Sequence, residues 1–221
     1  MLYQPPENTG LDWIYADDHL VVVHKPAGLL SVPGRGAEKQ DCLWSRVCEV
    51  YSDARTVHRL DMGTSGLVVL ARGVAMEREL SIQFQKRLVT KHYQAVVAGN
   101  LSPKQGEINL PLITDWPNRP RQKVDFLVGK PSQTLYRQVH FNPARNMSWV
   151  ELKPLTGRSH QLRVHLASLG HPILGDELYA PPQVYQQSTR LLLHAAQLAF
   201  AHPVTREALS FTCLPHHFPT P

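Results

Sequence analysis

Short apolar segments separated by turn-forming residues constrain the fold of this chain more than any other feature. Their length and their content of valine and leucine are typical of β-strands. They lie at residues 19–24, 66–71, 91–99, 134–141, 148–152, 190–198 and 209–213. Helices are expected at 43–50, at 73–88 and from a Ser159 cap to Leu169. Because strands outnumber helices and occur in runs, the pattern predicts an α+β fold with a mixed, mostly antiparallel central sheet flanked by helices and loops.

The chain is expected to form a single domain over residues 1–221, with residues 1–12 as a loose N-terminal lead-in. Its 221 residues are 43% apolar, which is enough to bury a sizeable core. No stretch approaches the roughly 18 consecutive apolar residues of a membrane helix, and the N-terminus has no apolar signal region. We therefore expect a cytoplasmic protein, with a monomer as the default.

The charge of the chain favours an anionic partner. Lysine and arginine number 23 against 18 acidic residues, which gives a net charge of +5, and 15 of the 23 are arginine. Arginine can bind phosphate through two hydrogen bonds and can stack on bases, so nucleic acid is the first candidate. A merely solubilising basic surface is the alternative, and charge alone does not decide between them.

Sequence patterns of metal and cofactor sites are absent. The three cysteines, Cys42, Cys48 and Cys213, form no CxxC pair, so we expect them to be reduced and structural. His160 and His165 are five residues apart, which does not place them on one helical face. The sequence contains no phosphate-binding loop, no nucleophile elbow and no dinucleotide fingerprint. We expect neither a metal nor a nucleotide cofactor.

A dense polar cluster lies just before the segment 66–71. It reads His58-Arg59-Leu60-Asp61. A carboxylate on a loop held by a strand can act as a nucleophile or a base. The alternative is that Asp61 only accepts hydrogen bonds from turn amides.

A second cluster lies at the start of the helix expected after Ser159. Gly157 and the backbone amides there suit an anion, to which Arg158 adds charge. Arg163, one turn further on, is either placed to meet a buried partner or exposed to solvent, and the residues leave both readings open.

Two further features have a structural and a functional interpretation. Tyr93 lies in an expected strand, where a tyrosine more often belongs to the core. Residues 106–121 are expected to form a proline-rich loop that ends in a basic stretch with Trp116, Arg119 and Arg121. An aromatic ring among cations suits a nucleic-acid contact, although an ordinary solvated loop fits as well.

Taken together, these segments resemble the RluA family of RNA pseudouridine synthases. Residues 58–72, HRLDMGTSGLVVLAR, are similar to the catalytic motif of that family. Further segments match in the family's order at residues 22–35, 91–99, 155–179 and 190–195. The resemblance runs from about residue 17 to residue 211, and it implies the pseudouridine synthase catalytic fold without a preceding S4-type RNA-binding domain.

The resemblance implies roles for individual residues. Asp61 matches the essential aspartate, Tyr93 the tyrosine that packs on the base and handles a proton, and Arg163 the basic residue that pairs with the aspartate. Arg59 matches the arginine that enters the RNA stack and keeps the target uridine flipped out. Leu193 falls in the motif that lines the pocket floor.

The remaining expected RNA contacts carry no chemical step. His58 belongs to the catalytic motif, and we group it with the basic residues Arg119, Arg121 and Arg158 as an RNA contact.

The activity implied is the isomerisation of uridine to pseudouridine in structured RNA, by base flipping and without a cofactor. Residues 110–124 and 129–136 are most similar to dual-specificity members, which modify a uridine in a 23S ribosomal RNA hairpin and one in the anticodon stem-loop of transfer RNA. The alternatives are a synthase for transfer RNA alone or for another ribosomal site, and a noncatalytic RNA-binding protein. Whether Asp61 attacks C1′, attacks C6 or abstracts a ribose proton stays open at this point.

Overall fold

The structure, a computed structural model, describes residues 3–220. Residues 1 and 2 of the expected lead-in and the terminal residue 221 lie outside the described residues. The chain divides into two compact units: residues 3–91 with 195–214, and residues 92–194 with 215–220. The single domain expected from the sequence stays a prediction, and each unit is described by itself.

The strands and helices have the following bounds. The strands are β1 (Asp12–Ala16), β2 (Leu20–Lys25), β3 (Ala54–Thr56), β4 (Ser65–Arg72), β5 (Thr90–Ala98), β6 (Gln105–Asn109), β7 (Leu112–Thr114), β8 (Gln122–Val124), β9 (Gln133–Asn142), β10 (Met147–Pro154), β11 (Leu193–Ala201) and β12 (Ala208–Thr212). The helices are α1 (Leu43–Cys48), α2 (Gly73–Gln85), α3 (Gln161–Ser168) and the single turn α4 (Pro182–Tyr185).

The first unit is built on a sheet with the strand order β1-β2-β4-β11, with β3 also on β4 and β12 on β11. The β1–β2, β2–β4, β3–β4 and β11–β12 pairs are antiparallel. Strands β2 and β4 are buried along nearly their whole length, as continuous apolar strands are when both faces are covered. Leu20, Val22, Leu67 and Val69 pack there with Leu80 of α2.

The second unit contains the antiparallel order β5-β10-β9-β6 and a separate two-stranded sheet, β7–β8. Its core joins Val96 and Val150 of the sheet to Leu162 and Leu166 of α3. The sheet and the helix that carry Tyr93 and Arg163 therefore share one apolar core.

Most of the predicted elements are confirmed, including the α+β fold class and the mostly antiparallel sheet. The prediction of a loop over residues 106–121 is wrong, since this segment contains β7 and all of β6 except its first residue, Gln105. Residues 105–109 contain a single large apolar residue, Ile108, so their own pattern gave no strand signal. They become a strand because they pair with β9. No helix among residues 3–220 is long and apolar enough to cross a membrane.

The start of α3 also differs from the sequence prediction. His160, and not Ser159, is the N-cap residue, and its backbone has a left-handed φ of 53°. No side chain caps the helix there. Instead, the Arg158 amide donates to Oε1 of Gln161 at 3.0 Å, which satisfies an amide near the helix start from inside the helix.

The described part of the N-terminal lead-in is anchored at Tyr3. Residues 3–11 contain no helix or strand, but the Tyr3 hydroxyl donates to the carbonyl oxygen of Asp41 at 2.9 Å. The same hydroxyl accepts a hydrogen bond from the Leu30 amide at 3.0 Å. These bonds hold Tyr3 against the segment between β2 and α1, and the loose lead-in expected from the sequence stays a prediction.

Candidate active site

Asp61 lies on the loop between β3 and β4 and is half-buried. Its carbonyl oxygen accepts the Thr64 amide at 3.1 Å, which closes a tight turn immediately before β4. The preceding residue, Leu60, is fixed by Ser31, whose Oγ donates to the Leu60 carbonyl at 2.7 Å and accepts its amide at 3.1 Å. The backbone on both sides of Asp61 is therefore held in place.

Lys25 also holds the loop between β3 and β4 in place. Its side chain is 0% exposed. The Nζ atom donates to the carbonyl oxygens of Pro26 at 2.9 Å, Leu29 at 2.6 Å and Met62 at 3.1 Å. The Met62 carbonyl also accepts the Gly28 amide at 2.8 Å. A buried ammonium with three carbonyl acceptors ties the end of β2 to the residue that follows Asp61.

Gly66 allows β4 to approach its neighbour closely. Its φ is +117°, and a side chain at this position would collide with the Ala195 backbone of β11. Only glycine adopts this backbone without strain. The loop that carries Asp61 can therefore enter β4 directly beside β11.

His58 holds the loop to β4. Its Nε2 atom accepts the Val69 amide at 3.0 Å, and its ring stacks on Phe84 at 4.6 Å between centroids. Burial, with a smaller contribution from the Lys91 charge, lowers the pKa of His58 to about 3. The ring is thus neutral at physiological pH and offers RNA no cation, so the geometry supports a structural role for His58.

Arg59 is exposed, unlike its neighbours in the motif. Its guanidinium makes no hydrogen bond or ion pair with the part of the chain that the structure describes. A free planar cation two residues from Asp61 is available for stacking or for phosphate.

Tyr93 and Leu193 belong to the second unit. Tyr93 is half-buried on β5, opposite Leu152 of β10, and packs against the apolar core of that unit. Leu193 begins β11 and is 3% exposed within the same core. The strand expected from residue 190 begins three residues later, at Leu193.

Arg163 is buried and paired with Asp176. The two side chains are 7% and 1% exposed. The Nε atom of Arg163 donates to Oδ2 of Asp176 at 2.8 Å, and an NH2 hydrogen bond reaches Oδ1 at 2.7 Å. Asp176 also accepts the amides of Leu178 at 3.0 Å and Tyr179 at 3.2 Å. Arg163 therefore has a buried partner, which is Asp176. The pairing of Arg163 with Asp61 stays a prediction.

Tyr179 lies between two arginine side chains. The guanidinium carbon of Arg163 is 5.1 Å from the ring centroid, and that of Arg121 is 5.5 Å away. The hydroxyl accepts the Gln122 amide at 2.8 Å and shares a 2.6 Å hydrogen bond with Nδ1 of His160.

The basic stretch of residues 116–123 forms the turn of the β7–β8 hairpin and the first two residues of β8. Trp116 is 65% exposed, and the Arg119 guanidinium lies 4.6 Å from its ring centroid. The turn is closed by a hydrogen bond from the Asp115 amide to the Arg121 carbonyl at 2.9 Å. Arg119, Arg121 and Arg158 are all exposed, as an RNA contact requires.

Sequence reasoning did not assign roles to Lys25, Asp176 and Tyr179, although all three lie in segments that resemble the family. Lys25 ends a buried strand, where an ammonium needs acceptors. Asp176 and Tyr179 follow α3 in the stretch Gly175-Asp176-Glu177-Leu178-Tyr179. A single sequence offered no signal that pairs them with Arg163.

Comparison with known proteins identifies the family. Residues 19–168 match the family model described as RNA pseudouridylate synthase. The chain belongs to this family. The synthase is 55% identical over 213 residues to the dual-specificity RNA pseudouridine synthase RluA of Pasteurella multocida, covering 96% of this chain and 97% of that protein. It is 52% identical over 209 residues to the protein of the same name from Escherichia coli K12, covering 95% of each chain.

Solved structures agree with the fold. The human RNA pseudouridylate synthase domain containing 1 superposes with a TM-score of 0.80 at 28% identity, covering 98% of this chain and 88% of that one. The human RNA pseudouridylate synthase domain containing 4 superposes with a TM-score of 0.73 at 26% identity, covering 93% of this chain and 89% of that one. These structures confirm the predicted catalytic fold. The family model and the RluA relatives confirm the prediction that the chain is an enzyme, an RNA uridine isomerase.

Proposed function

We propose that the synthase isomerises one uridine in a 23S ribosomal RNA hairpin and one in the anticodon stem-loop of transfer RNA. The observation that carries the proposal is the 55% identity, across 96% of the chain, to a relative named for dual specificity. We further propose a cytoplasmic enzyme that acts as a monomer, since one chain supplies every residue to which we give a role.

The reaction needs no external reactant. The C1′–N1 bond of uridine breaks, the uracil turns, and C1′ joins C5. The proton on C5 leaves to solvent, and N1, which carries no proton in uridine, gains one in the product. Because nothing is added or lost overall, the protein must supply only a nucleophile or base, a charge partner for it and a site that holds the detached uracil.

Asp61 is the proposed nucleophile or base. A carboxylate in this role needs a fixed direction of approach. The turn to Thr64 and the bonds from Ser31 and Lys25 fix the backbone on which Asp61 stands. One carboxylate suffices, in contrast to the carboxylate pairs of most glycosidases.

Arg163 is the proposed charge partner of Asp61. An opposite charge keeps a carboxylate ionised where burial would protonate it. Arginine stays charged when buried and can bind two oxygen atoms at once. Its two hydrogen bonds to Asp176 hold the guanidinium in one orientation inside the second unit.

Tyr93 is the proposed residue for the uracil ring and a proton step. A half-buried tyrosine on a strand presents an apolar ring face and a hydroxyl. Packing against the core limits its rotamers, so the ring can hold uracil in one orientation after the glycosidic bond breaks.

Arg59 and the β7–β8 hairpin are the proposed RNA contacts. Flipping a loop uridine out of its stack costs a few kcal/mol, and the planar Arg59 cation can fill the vacated space. Exposed Arg119, Arg121 and Arg158 can neutralise phosphates, which provides affinity without base specificity.

The proposal is tested by tritium release from two RNA stem-loops, each with uridine labelled at C5. One carries the 23S hairpin and the other the anticodon stem-loop, and hairpins without the target uridine are the controls. We expect release from both substrates. Release from only one would show a single-substrate synthase, and release from neither would contradict the proposal.

A further inference from the structure

Tyr179 joins the basic hairpin to Arg163, and we propose that it positions Arg163 according to how RNA is held on the hairpin. Tyr179 would thus be a positioning residue that couples substrate selection to the chemical step. The inference rests on the proposed function, because it needs Arg163 at the reaction and Arg121 on the RNA.

The ring of Tyr179 provides one half of this connection. Two guanidinium groups lie over this ring, that of Arg163 at 5.1 Å and that of Arg121 at 5.5 Å from the centroid. Arg163 is buried, whereas Arg121 is exposed on the hairpin. A cation attracted to the quadrupole of the ring moves with the ring. When an RNA phosphate displaces Arg121, the position of the Tyr179 ring therefore changes as well.

The hydroxyl of Tyr179 provides the other half. It accepts the backbone amide of Gln122, the first residue of β8, at 2.8 Å. This bond ties the ring to the hairpin backbone and not to a mobile side chain. The second bond of the hydroxyl, to Nδ1 of His160 at 2.6 Å, reaches the residue immediately before α3.

His160 has a backbone conformation that requires support. Its φ of 53° lies in the left-handed region, which strains the backbone of a residue other than glycine. Such strain persists only where surrounding contacts hold it, and the hydrogen bond to Tyr179 is one such contact. Because His160 caps α3, its conformation sets the direction of the turn that carries Arg163.

Asp176 completes the connection. The same carboxylate binds Arg163 twice and accepts the Tyr179 amide at 3.2 Å. A change at Tyr179 therefore reaches Arg163 by two routes, through His160 and the helix start and through Asp176. The hairpin and the buried guanidinium are joined by contacts that all lie within the second unit.

The inference is tested with Tyr179→Phe, which keeps the ring between the arginines but removes both hydroxyl bonds. Tyr185→Phe is the matched control, since Tyr185 is 41% exposed on α4 and has no role in the site. The readouts are the single-turnover rate at saturating labelled anticodon stem-loop and the dissociation constant of the same RNA. We expect the rate of Tyr179→Phe to fall about tenfold, as the loss of two hydrogen bonds allows, with the dissociation constant within about twofold.

A double-mutant cycle with Arg121→Ala separates coupling from simple loss of structure. In the wild type, Arg121→Ala should lower both the affinity and the rate. In the Tyr179→Phe background, Arg121→Ala should lower the affinity for RNA by the same factor but leave the single-turnover rate nearly unchanged. Additive effects on the rate, or a Tyr179→Phe rate equal to that of Tyr185→Phe, would overturn the inference. If the wild type releases no tritium, the proposed function itself has failed, which is a different outcome.

Discussion

The Nζ atom of Lys25 donates a 3.1 Å hydrogen bond to the carbonyl oxygen of Met62, the residue that follows Asp61. An ammonium with no exposed surface thus fixes the loop on which the proposed chemistry depends. Its other acceptors, the carbonyls of Pro26 and Leu29, belong to the turn after β2. One side chain therefore joins the strand end to the active-site loop.

Replacing Lys25 by methionine should reduce both stability and activity. The aliphatic stem is retained, but three carbonyls lose a charged donor. The Met62 carbonyl keeps the Gly28 amide, whereas the Pro26 and Leu29 carbonyls lose the Lys25 donor, and a buried acceptor without a partner costs about 1–3 kcal/mol. We expect the free energy of unfolding to fall by about 2–4 kcal/mol in urea denaturation, with a lower turnover in the folded fraction. Lys86→Met, at an exposed site in the same unit, is the control. An unchanged denaturation midpoint for Lys25→Met would show that the three bonds do not stabilise the loop.

His58 should make the stability of the protein fall in acid. Its folded pKa of about 3 lies below the unfolded value of 6.5, so the unfolded state binds the proton first. The stability that the neutral His58 contributes to the folded state is fully present above pH 6.5 and is lost as the pH falls towards 3.

The variant His58→Gln isolates this contribution. Between pH 6 and 4, the slope of its unfolding free energy against pH should be smaller than that of the wild type by up to about 1.4 kcal/mol per pH unit. His217→Gln, in the exposed C-terminal tail, should keep the wild-type slope. Equal slopes for wild type and His58→Gln would be inconsistent with a His58 that stays neutral in the folded protein.

Asp176→Asn should destabilise the second unit strongly. The variant is nearly isosteric but leaves the Arg163 guanidinium buried without its carboxylate, which typically costs about 3–5 kcal/mol. Thermal unfolding measures the loss, and Asp115→Asn on the hairpin turn serves as a control in the same unit. A Tm equal to that of the wild type would mean that the ion pair is not needed to hold Arg163.

The affinity for RNA should depend steeply on salt, and the hairpin should carry part of that dependence. Each phosphate contact to a single strand contributes about 0.7 to the slope of log K against log salt. Arg119→Ala combined with Arg121→Ala should therefore reduce the slope by about 1.4. Arg145→Ala, on an exposed turn, should leave it unchanged. If the double substitution left the salt slope unchanged, the hairpin would not contact the RNA.

The elements that the sequence predicted are those whose own residues determine their structure. The apolar run of β4 and the four-residue spacing from Met76 to Phe84 in α2 are local signals, and both elements formed as expected. Strand β6 was missed because its partner strand, and not its composition, makes it a strand. The cap of α3 was assigned to Ser159 because serine is a common cap, whereas His160 takes that position in a left-handed conformation.

The residues of the candidate site also divide into those that the sequence predicted and those that only the structure shows. The polar cluster alone made Asp61 a candidate nucleophile or base, with a role in the turn as the alternative. The functional interpretation of Asp61, Tyr93 and Arg163 over the structural one depended on the family resemblance. The partners of these residues depend on contacts distant in sequence. Lys25 reaches Met62 across 37 positions, and Tyr179 reaches Gln122 across 57, so no local pattern could reveal either contact.

The central claim is that Asp61 carries out the chemical step, and Asp61→Asn tests it most directly. Asparagine keeps the shape of the side chain but is neither a nucleophile nor a base at neutral pH. With the labelled anticodon stem-loop, we expect Asp61→Asn to release no tritium while it binds the RNA within a few-fold of the wild type. Asp18→Asn, whose side chain is 97% exposed in the same unit, should retain wild-type release. Turnover by Asp61→Asn at a rate near that of the wild type would contradict the assignment of the catalytic residue.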